Sequence, residues 1–249
     1  MTDSVDEEAR DRPLAGRIAL ITGASRGIGA AAALRLAKAG AHVVLLARTV
    51  GGLEEVDDAI KAVGGTGGTG ATLIPCDLGD LARLDALGPS LLERFGGLDI
   101  FIANAAMMGP LSPLGHYDPA VWQRVFAINL TANWHLVRTL DPLLRRAEAG
   151  RAVFLTDAVA AAPRAYWGPY AASKAALESL AFLWAAETRR TPLKVNLFDP
   201  GPVRTALRRQ AYPGEDPAGL VTPEAIVEAL LPLVLPDLSV TGKRFVARP

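Results

Sequence analysis

The stretch "LTDAVAAAPRAYWGPYAASKAALE", residues 155–178, contains a tyrosine and a lysine at a spacing that could transfer protons. Tyr170 and Lys174 are four residues apart, so on a helix their Cβ atoms would share one face, roughly 5–6 Å apart. An ammonium group beside a phenol favours the phenolate, and we therefore expect Lys174 to lower the pKa of Tyr170 below its usual value of about 10. A phenol tuned in this way can serve as a general acid or base for a reacting oxygen atom.

The alternation of apolar patterns along the chain predicts the scaffold that must hold this pair. Short apolar and β-branched runs alternate with Ala- and Leu-rich helical patterns, which is typical of right-handed β-α-β units. We expect a doubly wound, mostly parallel α/β sheet of about seven strands with helices on both faces. The predicted strands are Arg17–Thr22, His42–Ala47, Thr72–Pro75, Asp99–Ala103, Ala152–Thr156, Lys194–Phe198 and Lys243–Val246. The predicted helices are Gly27–Ala39, Leu53–Val63, Leu81–Phe95, Pro119–Ala147, Tyr170–Arg189 and Pro223–Leu235.

The composition limits the fold and the partners. A chain of 249 residues fits one α/β domain, and half of its residues are apolar, enough for a sizeable core. Lysine plus arginine equal aspartate plus glutamate at 26 each, so no long-range field favours nucleic acid or an anionic membrane. The single Cys76 excludes an intramolecular disulfide, and no apolar stretch is long enough to span a bilayer, so we expect a cytoplasmic protein. The charged residues 1–13 predict a disordered tail, and residues 14–249 a single domain that includes a substrate loop at 206–221.

A glycine-rich turn follows the first predicted strand, in "RIALITGASRGIGAAAALRLAKAG". Gly23, Gly27 and Gly29 would allow a tight turn and the close approach of a pyrophosphate to the N-terminus of the next helix. This context predicts a Rossmann-type dinucleotide site. The same letters also match the G-x-S-x-G nucleophile elbow of serine hydrolases around Ser25, which leaves a hydrolase open as an alternative. That alternative needs a histidine on a loop at the same edge of the sheet, and the chain has only His42, His116 and His135.

The residues beside the turn favour NADP over NAD. An acidic residue at the end of the second strand would bind the ribose 2′-hydroxyl, whereas a basic residue accommodates a 2′-phosphate. Ala47 and Arg48 stand at that end, and Arg26 lies in the glycine turn. Two arginines and no carboxylate therefore predict NADP as the cofactor, with NAD less favoured; no metal site is expected.

Together these motifs resemble the short-chain dehydrogenase/reductase family from about residue 14 onward. The matching segments are Thr22–Gly29, Asp77 after the third strand, Asn104-Ala105-Ala106 with Ala106 in place of glycine, Asn129, Tyr170-Ala171-Ala172-Ser173-Lys174, and Pro200–Thr205. The resemblance implies that Tyr170, Lys174, Asn129 and the residue at position 157 form the catalytic group. It implies that the cofactor is bound by Gly23, Ser25, Arg26, Gly27, Ile28, Gly29, Arg48, Asp77, Leu78, Asn104, Ala105, Tyr170, Lys174, Pro200, Val203 and Thr205.

The resemblance also implies an activity and an assembly. Tyr170 would act as the acid or base while hydride passes between the nicotinamide of NADP(H) and a carbonyl or alcohol substrate. A homodimer or homotetramer would form through the long helices after the fourth and fifth strands. There the small residues Ala171, Ala172, Ala175 and Ala176 would let helices approach closely, although they would also suit packing against the sheet within one chain.

Asp157 departs from the family pattern, which has a serine thirteen residues before the tyrosine. An ionised carboxylate has no hydrogen to donate to the reacting oxygen, and losing such a donor typically costs about 10²–10³ in rate. Thr156 has a hydroxyl but should face the opposite side of the strand. Three interpretations remain open: Asp157 is protonated and donates, it binds a cationic part of the substrate, or the protein binds NADP(H) as a sensor or interaction partner with little turnover.

Several side chains could contact the substrate. Tyr166, Trp167, Met107, Met108 and Tyr212 could line an apolar pocket, although aromatic residues and methionines also suit a core or an interface. The segment Arg208–Leu220 is rich in proline and glycine without periodicity, so it is either a lid over the site or a surface loop. Its Arg208 and Arg209 could meet an acidic group or remain solvated.

Overall fold

A computed structural model describes residues 12–64 and 70–247 of the chain. The predicted tail lies outside the described residues except for Arg12 and Pro13. Seven strands form one parallel sheet in the order β3-β2-β1-β4-β5-β6-β7, which confirms the predicted Rossmann-type α/β fold. The strands are β1 (Ile18–Thr22), β2 (His42–Ala47), β3 (Thr72–Pro75), β4 (Ile100–Ala103), β5 (Arg151–Leu155), β6 (Lys194–Asp199) and β7 (Arg244–Val246).

Helices cover both faces of this sheet and bury an apolar layer on each. They are α1 (Gly27–Lys38), α2 (Val50–Ala62), α3 (Leu81–Asp85), α4 (Leu87–Phe95), α5 (Pro119–Phe126), α6 (Ala132–Arg146), α7 (Gly168–Glu187), α8 (Ala206–Ala211) and α9 (Pro223–Leu230). One layer contains buried side chains of α1, α2 and α9, and the other contains those of α4, α6 and α7. Within the described residues, no helix combines the length and apolar character needed to cross a membrane.

The strand order reverses direction between β1 and β4, which are hydrogen-bonded neighbours. The connections that leave these two strands diverge to opposite sides of the sheet, and the crevice between them is the usual ligand site of this topology. The glycine turn follows β1 and Asn104 follows β4, so both predicted segments meet at this crevice.

Two predicted helices are interrupted. The predicted helix Leu81–Phe95 divides at Ala86, because the Thr139 hydroxyl of α6 donates to the Asp85 carbonyl and accepts from the Gly88 N–H. The predicted helix Pro119–Ala147 contains a π-helical turn at Ala127–Thr131 between α5 and α6. Neither interruption disturbs the apolar periodicity, so the sequence pattern predicted continuous helices.

The segment Arg208–Leu220, predicted to lack periodicity, in fact overlaps helix α8. The Thr205 hydroxyl caps that helix by accepting from the Arg208 N–H at 3.1 Å. The Arg208 guanidinium then pairs with both carboxylate oxygens of Glu215 at 2.6 Å, which holds the following turn against the helix. A threonine cap and an ion pair therefore order the first half of this segment.

Candidate active site

Helix α7 contains Tyr170 and Lys174, as their spacing predicted, and Lys174 contacts the carboxyl end of β5. Pro169 occupies the first turn of α7, where its missing N–H would have had no helical partner. Tyr170 and Lys174 are each only 3% exposed. The Lys174 Nζ donates to the Leu155 carbonyl at the end of β5 at 2.7 Å, and this bond ties the helix to the strand.

A strained turn precedes α7. Tyr166 has a φ of 73°, the only positive φ of a non-glycine residue in the described chain. Its carbonyl accepts from the Tyr117 hydroxyl at 2.6 Å and from the Ser112 N–H at 3.1 Å, which compensates for the strain. The turn places the Trp167 ring 5.9 Å from that of Tyr170 and 5.9 Å from that of Tyr212.

Asp157 lies in direct contact with Tyr170. Its Oδ2 accepts from the Tyr170 hydroxyl at 3.2 Å, and its Oδ1 accepts from the Val159 N–H at 2.9 Å. The Thr156 hydroxyl instead donates to Glu178 Oε1 at 2.6 Å, away from Tyr170, as the register predicted. The phenolic proton of Tyr170 is therefore directed at a carboxylate.

The predicted lowering of the pKa of Tyr170 is wrong for this arrangement. Burial raises the pKa of Tyr170 well above its usual value of 10, and the charge and hydrogen bond of Asp157 raise it further, as does Asp199. The Lys174 ammonium cannot offset these effects, because it is bonded to Leu155 and lies 5.9 Å from the centroid of the Tyr170 ring. The direction of the pKa shift of Tyr170 is decided by burial and by the side-chain rotamers. The i, i+4 spacing specifies neither.

Lys174, which is buried, is the centre of a group of charges. Burial lowers the pKa of Lys174 from 10.5 to about 8, and Asp157, Glu178 and Asp199 oppose this change. Arg244 of β7 joins two of these carboxylates, with Nη2 at 2.8 Å from Asp199 Oδ2 and Nε at 3.4 Å from Glu178 Oε1. Glu178, Asp199 and Arg244 were not predicted from the sequence, because nothing in their spacing links α7, β6 and β7.

Asn129 lies fully buried within the π-helical turn. Its side-chain amide accepts from the Met107 N–H at 2.8 Å and donates to the Met107 carbonyl at 2.8 Å and the Ser173 hydroxyl at 3.0 Å. π-Helical turns often mark functional sites, and this one aims Asn129 at the helix that contains Tyr170. Ser173, between Tyr170 and Lys174 in the sequence, had no predicted role.

Residues that follow the neighbouring strand β4 hold the glycine turn in place through hydrogen bonds. The Asn104 Nδ2 donates to the Thr22 and Gly23 carbonyls at 2.8 and 3.2 Å, and the Thr22 hydroxyl accepts from the Asn104 and Ala105 N–H groups at 3.0 and 3.1 Å. Gly23 has a φ of +65°, and a Cβ there would lie 2.9 Å from the Ala105 Cα. A Cβ on Gly29 would overlap the Gly23 carbonyl. Thr22 thus has a structural role that the motif did not assign to it.

The N-terminus of α1 offers free donors to an anion. Its cap residue, Arg26, makes no side-chain capping bond, and no acidic residue occupies the first turn around Ile28. The first N–H groups of a helix have no acceptor within the helix, and together with the helix dipole they favour a phosphate there. Arg26 and Arg48 are exposed and form no salt bridge in the part of the chain described. A Cβ on Gly52 of α2 would lie 3.0 Å from the Ser25 Cβ, so the start of α2 adjoins the turn.

The other predicted cofactor residues surround this turn. Asp77 Oδ1 accepts from the Gly79 N–H and its Oδ2 from Arg124, both at 2.7 Å. The Gly79 bond, then Arg124 and the charge of Arg48, lower the pKa of Asp77. Leu78 beside it is buried.

The segment from Pro200 to Thr205 returns to the same crevice. Asp199 Oδ1 accepts from the Gly201 N–H at 3.0 Å just after Pro200. Val203 is buried and forms a bridge to Val221, and a Cβ on Gly27 would lie 3.5 Å from Thr205 Cγ2. The structure therefore gathers the predicted cofactor residues along one edge of the sheet.

Three of the five predicted pocket residues line an apolar wall beside Tyr170. Met108 and Trp167 are buried in one cluster with Tyr170, and Tyr212 packs against it. Met107 instead packs on the sheet core, and Tyr166 is 58% exposed. Arg208 pairs with Glu215 and stacks on Tyr212, while Arg209 is exposed.

The geometry does not support a serine hydrolase. His42 starts β2, at the edge of the sheet opposite Ser25, and bonds the Thr72 hydroxyl at 2.9 Å. His135 bonds Asp85 at 2.7 Å. Among the residues that the structure describes, no histidine ring hydrogen-bonds Ser25, so the nucleophile elbow lacks its base.

Known proteins are similar to this chain in sequence and fold. A family model for short chain dehydrogenases matches residues 17–216. The oxidoreductase YciK of Escherichia coli strain K12 is 37% identical over 236 residues, covering 94% of this chain and 92% of that protein. A solved short chain dehydrogenase from Shigella flexneri 2a, complexed with NADP, has a TM-score of 0.91 at 38% identity over 96% of this chain and 100% of that one. Another from Escherichia coli CFT073, complexed with NADPH, has a TM-score of 0.91 at 38% identity over 96% and 99%. The chain therefore belongs to the short-chain dehydrogenase family.

Proposed function

We propose that this chain is an NADP(H)-dependent oxidoreductase that transfers hydride between the nicotinamide and a small carbonyl or alcohol substrate. The observation that carries the proposal is the buried pair of Tyr170 and Lys174 at the same sheet edge as a glycine turn with uncapped helix donors. The NADP and NADPH bound by the two solved relatives support the cofactor. When bound, the cofactor supplies or accepts the hydride.

The residues present fit this cofactor. The turn at Gly23, Gly27 and Gly29, with the N–H groups of α1, would bind the pyrophosphate, because the helix donors there have no capping partner. Arg26 and Arg48, both exposed and without an ion-pair partner in the described chain, would bind the 2′-phosphate. We assign the adenine, ribose and nicotinamide contacts to Ser25, Ile28, Asp77, Leu78, Asn104, Ala105, Tyr170, Lys174, Pro200, Val203 and Thr205.

In the proposed mechanism, Tyr170 is the group that exchanges a proton with the reacting oxygen. Its burial keeps water from competing for that contact, and its high pKa keeps it protonated until charge develops on the substrate. Lys174 would stabilise the phenolate as it forms and anchor the ribose. Asn129 would support proton exchange from the back of α7, where its amide holds Ser173 and the Met107 backbone.

We further propose that residues 14–249 act as one unit, in which residues 206–221 close over the substrate.

We also propose that the chain forms a homo-oligomer. The outward side of α7 exposes Ala172, Ala175 and Leu183, and α6 exposes Trp134. Helices with small and apolar exposed residues pack well against a second copy. Light scattering at micromolar concentration should give a dimer or tetramer, and a monomeric mass would contradict the assembly.

The test of the proposed function is a nucleotide titration followed by a substrate panel. Purified protein should bind NADPH, measured by fluorescence, more tightly than NADH, and should then oxidise NADPH with at least one carbonyl compound. The Tyr170 hydrogen bond to Asp157 favours a second candidate, a sensor or interaction protein with weak turnover. Tight NADPH binding with no turnover of any compound would support the second candidate. Failure to bind either nucleotide would refute both.

A further inference from the structure

A carboxylate without an ion-pair partner faces the place where the reaction would occur. Asp157 Oδ2 lies 3.2 Å from the Tyr170 hydroxyl, so a substrate atom bonded to Tyr170 lies within about 6 Å of Oδ2. Within the described residues, no lysine, arginine or histidine forms a salt bridge with Asp157. The Lys174 ammonium is bonded to Leu155 instead. The charge of Asp157 acts on the Lys174 ammonium without an ion-pair contact between them, so a ligand can still bind the carboxylate.

This arrangement opposes the reduction of a neutral ketone. Hydride addition to C=O places a negative charge on oxygen, and a carboxylate close to that oxygen repels it. Both oxygens of Asp157 accept hydrogen bonds, from Val159 and Tyr170, and an ionised carboxylate has no proton of its own to donate. The Tyr170 proton is directed at Asp157 as well. The site therefore places negative charge where a ketone would need positive charge or a free donor.

The same arrangement suits a substrate that carries positive charge at the reacting bond. Asp157 would attract the cation, and its rigid N–H and O–H donors hold the carboxylate in place. The aromatic wall of Trp167, Tyr170 and Tyr212 adds ring faces, which also attract cations. Two arginines lie near this aromatic wall. Arg208 is neutralised by Glu215, and Arg164 donates a hydrogen bond to the Tyr212 hydroxyl. Of the charges that act on Tyr170, that of Asp157 has the largest effect, followed by that of Asp199.

We infer that the reducible bond of the substrate is a protonated C=N bond, an iminium ion, held beside Asp157. This inference depends on the proposed NADP(H)-dependent hydride transfer and replaces the carbonyl group of the proposed substrate by a C=N bond. Hydride from NADPH adds to the carbon, the π electrons of C=N become the nitrogen lone pair, and NADP⁺ and an amine are formed. The nitrogen keeps the proton with which it arrived, taken from solvent, so no proton from Tyr170 is needed in this step. In this step Tyr170 holds Asp157 in place through its hydrogen bond, and its proton transfer is confined to carbonyl substrates.

The test compares a permanent cation with a neutral ketone of similar shape. The probes are an N-methyl-dihydroisoquinolinium salt and tetralone, each supplied with saturating NADPH. The proteins are wild type, Asp157→Ser, Asp157→Asn and, as a matched charge control, Glu224→Gln on the exposed side of α9.

Wild type should have a kcat/KM for the cation at least about tenfold above that for the ketone. Both Asp157 variants should lose about 10- to 100-fold on the cation, because the charge interaction is gone, and Asp157→Ser should gain on the ketone. Glu224→Gln should keep the wild-type ratio.

NADPH titration of every variant separates a folding defect from the effect on substrate, since Asp157→Asn keeps the shape of the side chain without its charge. Equal cation turnover by wild type and by a serine variant that binds NADPH would overturn the inference. Wild-type preference for the ketone would also overturn it, while the oxidoreductase proposal would stand. NADPH binding with turnover of neither probe would overturn the inference and favour the sensor. Loss of NADPH binding by wild type would mean that the proposed function itself has failed.

Discussion

Replacement of Lys174 by methionine should make the stability of the protein less dependent on pH. Lys174 is 3% exposed, and its ammonium donates a hydrogen bond to the Leu155 carbonyl. Methionine has a similar length and no charge, so it fills the same space without the cost of burying an ion. The loss of the bond to Leu155 leaves one buried carbonyl unsatisfied, at a cost of about 1–3 kcal/mol that is the same at every pH.

The size of the pH effect follows from the two pKa values. Burial lowers the pKa of Lys174 from 10.5 in the unfolded chain to about 8 in the folded protein. At about 1.4 kcal/mol per pH unit, keeping this lysine charged costs the folded state about 3.5 kcal/mol well below pH 8. Above that pH the folded protein loses the proton while the unfolded chain retains it, so the cost declines and the wild type gains stability. Between pH 7 and pH 10 the gain should be about 2.5 kcal/mol.

The assay is urea denaturation of cofactor-free protein at pH 7 and pH 10, followed by tryptophan fluorescence at one protein concentration. The free energy of unfolding of Lys174→Met minus that of wild type should fall by about 2.5 kcal/mol between the two pH values. Lys38→Met, which removes an exposed lysine from α1, should show no such change. If the difference in the free energy of unfolding between Lys174→Met and wild type is the same at pH 7 and pH 10, burial of the ammonium does not destabilise the folded protein by the amount that its lowered pKa implies.

Three other substitutions test the cofactor and proton-transfer residues. Arg48→Asp should weaken NADPH binding about 10- to 100-fold by fluorescence titration, through loss of a charged hydrogen bond, with little effect on NADH; an equal loss for both would remove the 2′-phosphate role. Tyr170→Phe should abolish carbonyl reduction while the Kd for NADPH changes less than about twofold, because the phenol acts mainly in the transition state; unchanged turnover would exclude Tyr170 as the acid. Gly29→Ala should lower stability by about 1–3 kcal/mol in urea denaturation, because the new methyl group overlaps the Gly23 carbonyl; a stable variant would show that the turn is looser than described.

The sheet was predictable because each strand is a short apolar or β-branched run with helical patterns on either side. The bounds His42–Ala47 and Thr72–Pro75 match the structure at both ends. The interruptions of the helices were not predictable, because they depend on side chains from elsewhere in the chain. Thr139 bonds two backbone groups at the α3–α4 boundary, and an amphipathic pattern contains no information about such a contact.

The candidate site also has some features that the sequence predicts and others that it does not. The shared helix face of Tyr170 and Lys174 follows from their spacing, and the structure brings both residues to the predicted edge. The direction in which the pKa of Tyr170 shifts does not follow from the spacing of Tyr170 and Lys174, because it depends on burial and on where the Lys174 side chain points. The contact between Asp157 and Tyr170 likewise depends on the geometry of the turn between β5 and α7.

Thr22 and Asn104 hold the glycine turn in one conformation without the help of a ligand. Nucleotide association should therefore need no slow ordering step of this loop. In stopped-flow mixing, we expect the binding signal to follow a single exponential whose rate constant rises linearly with NADPH concentration. Because Arg26 and Arg48 are exposed beside the turn, the association rate constant should also decrease as ionic strength rises.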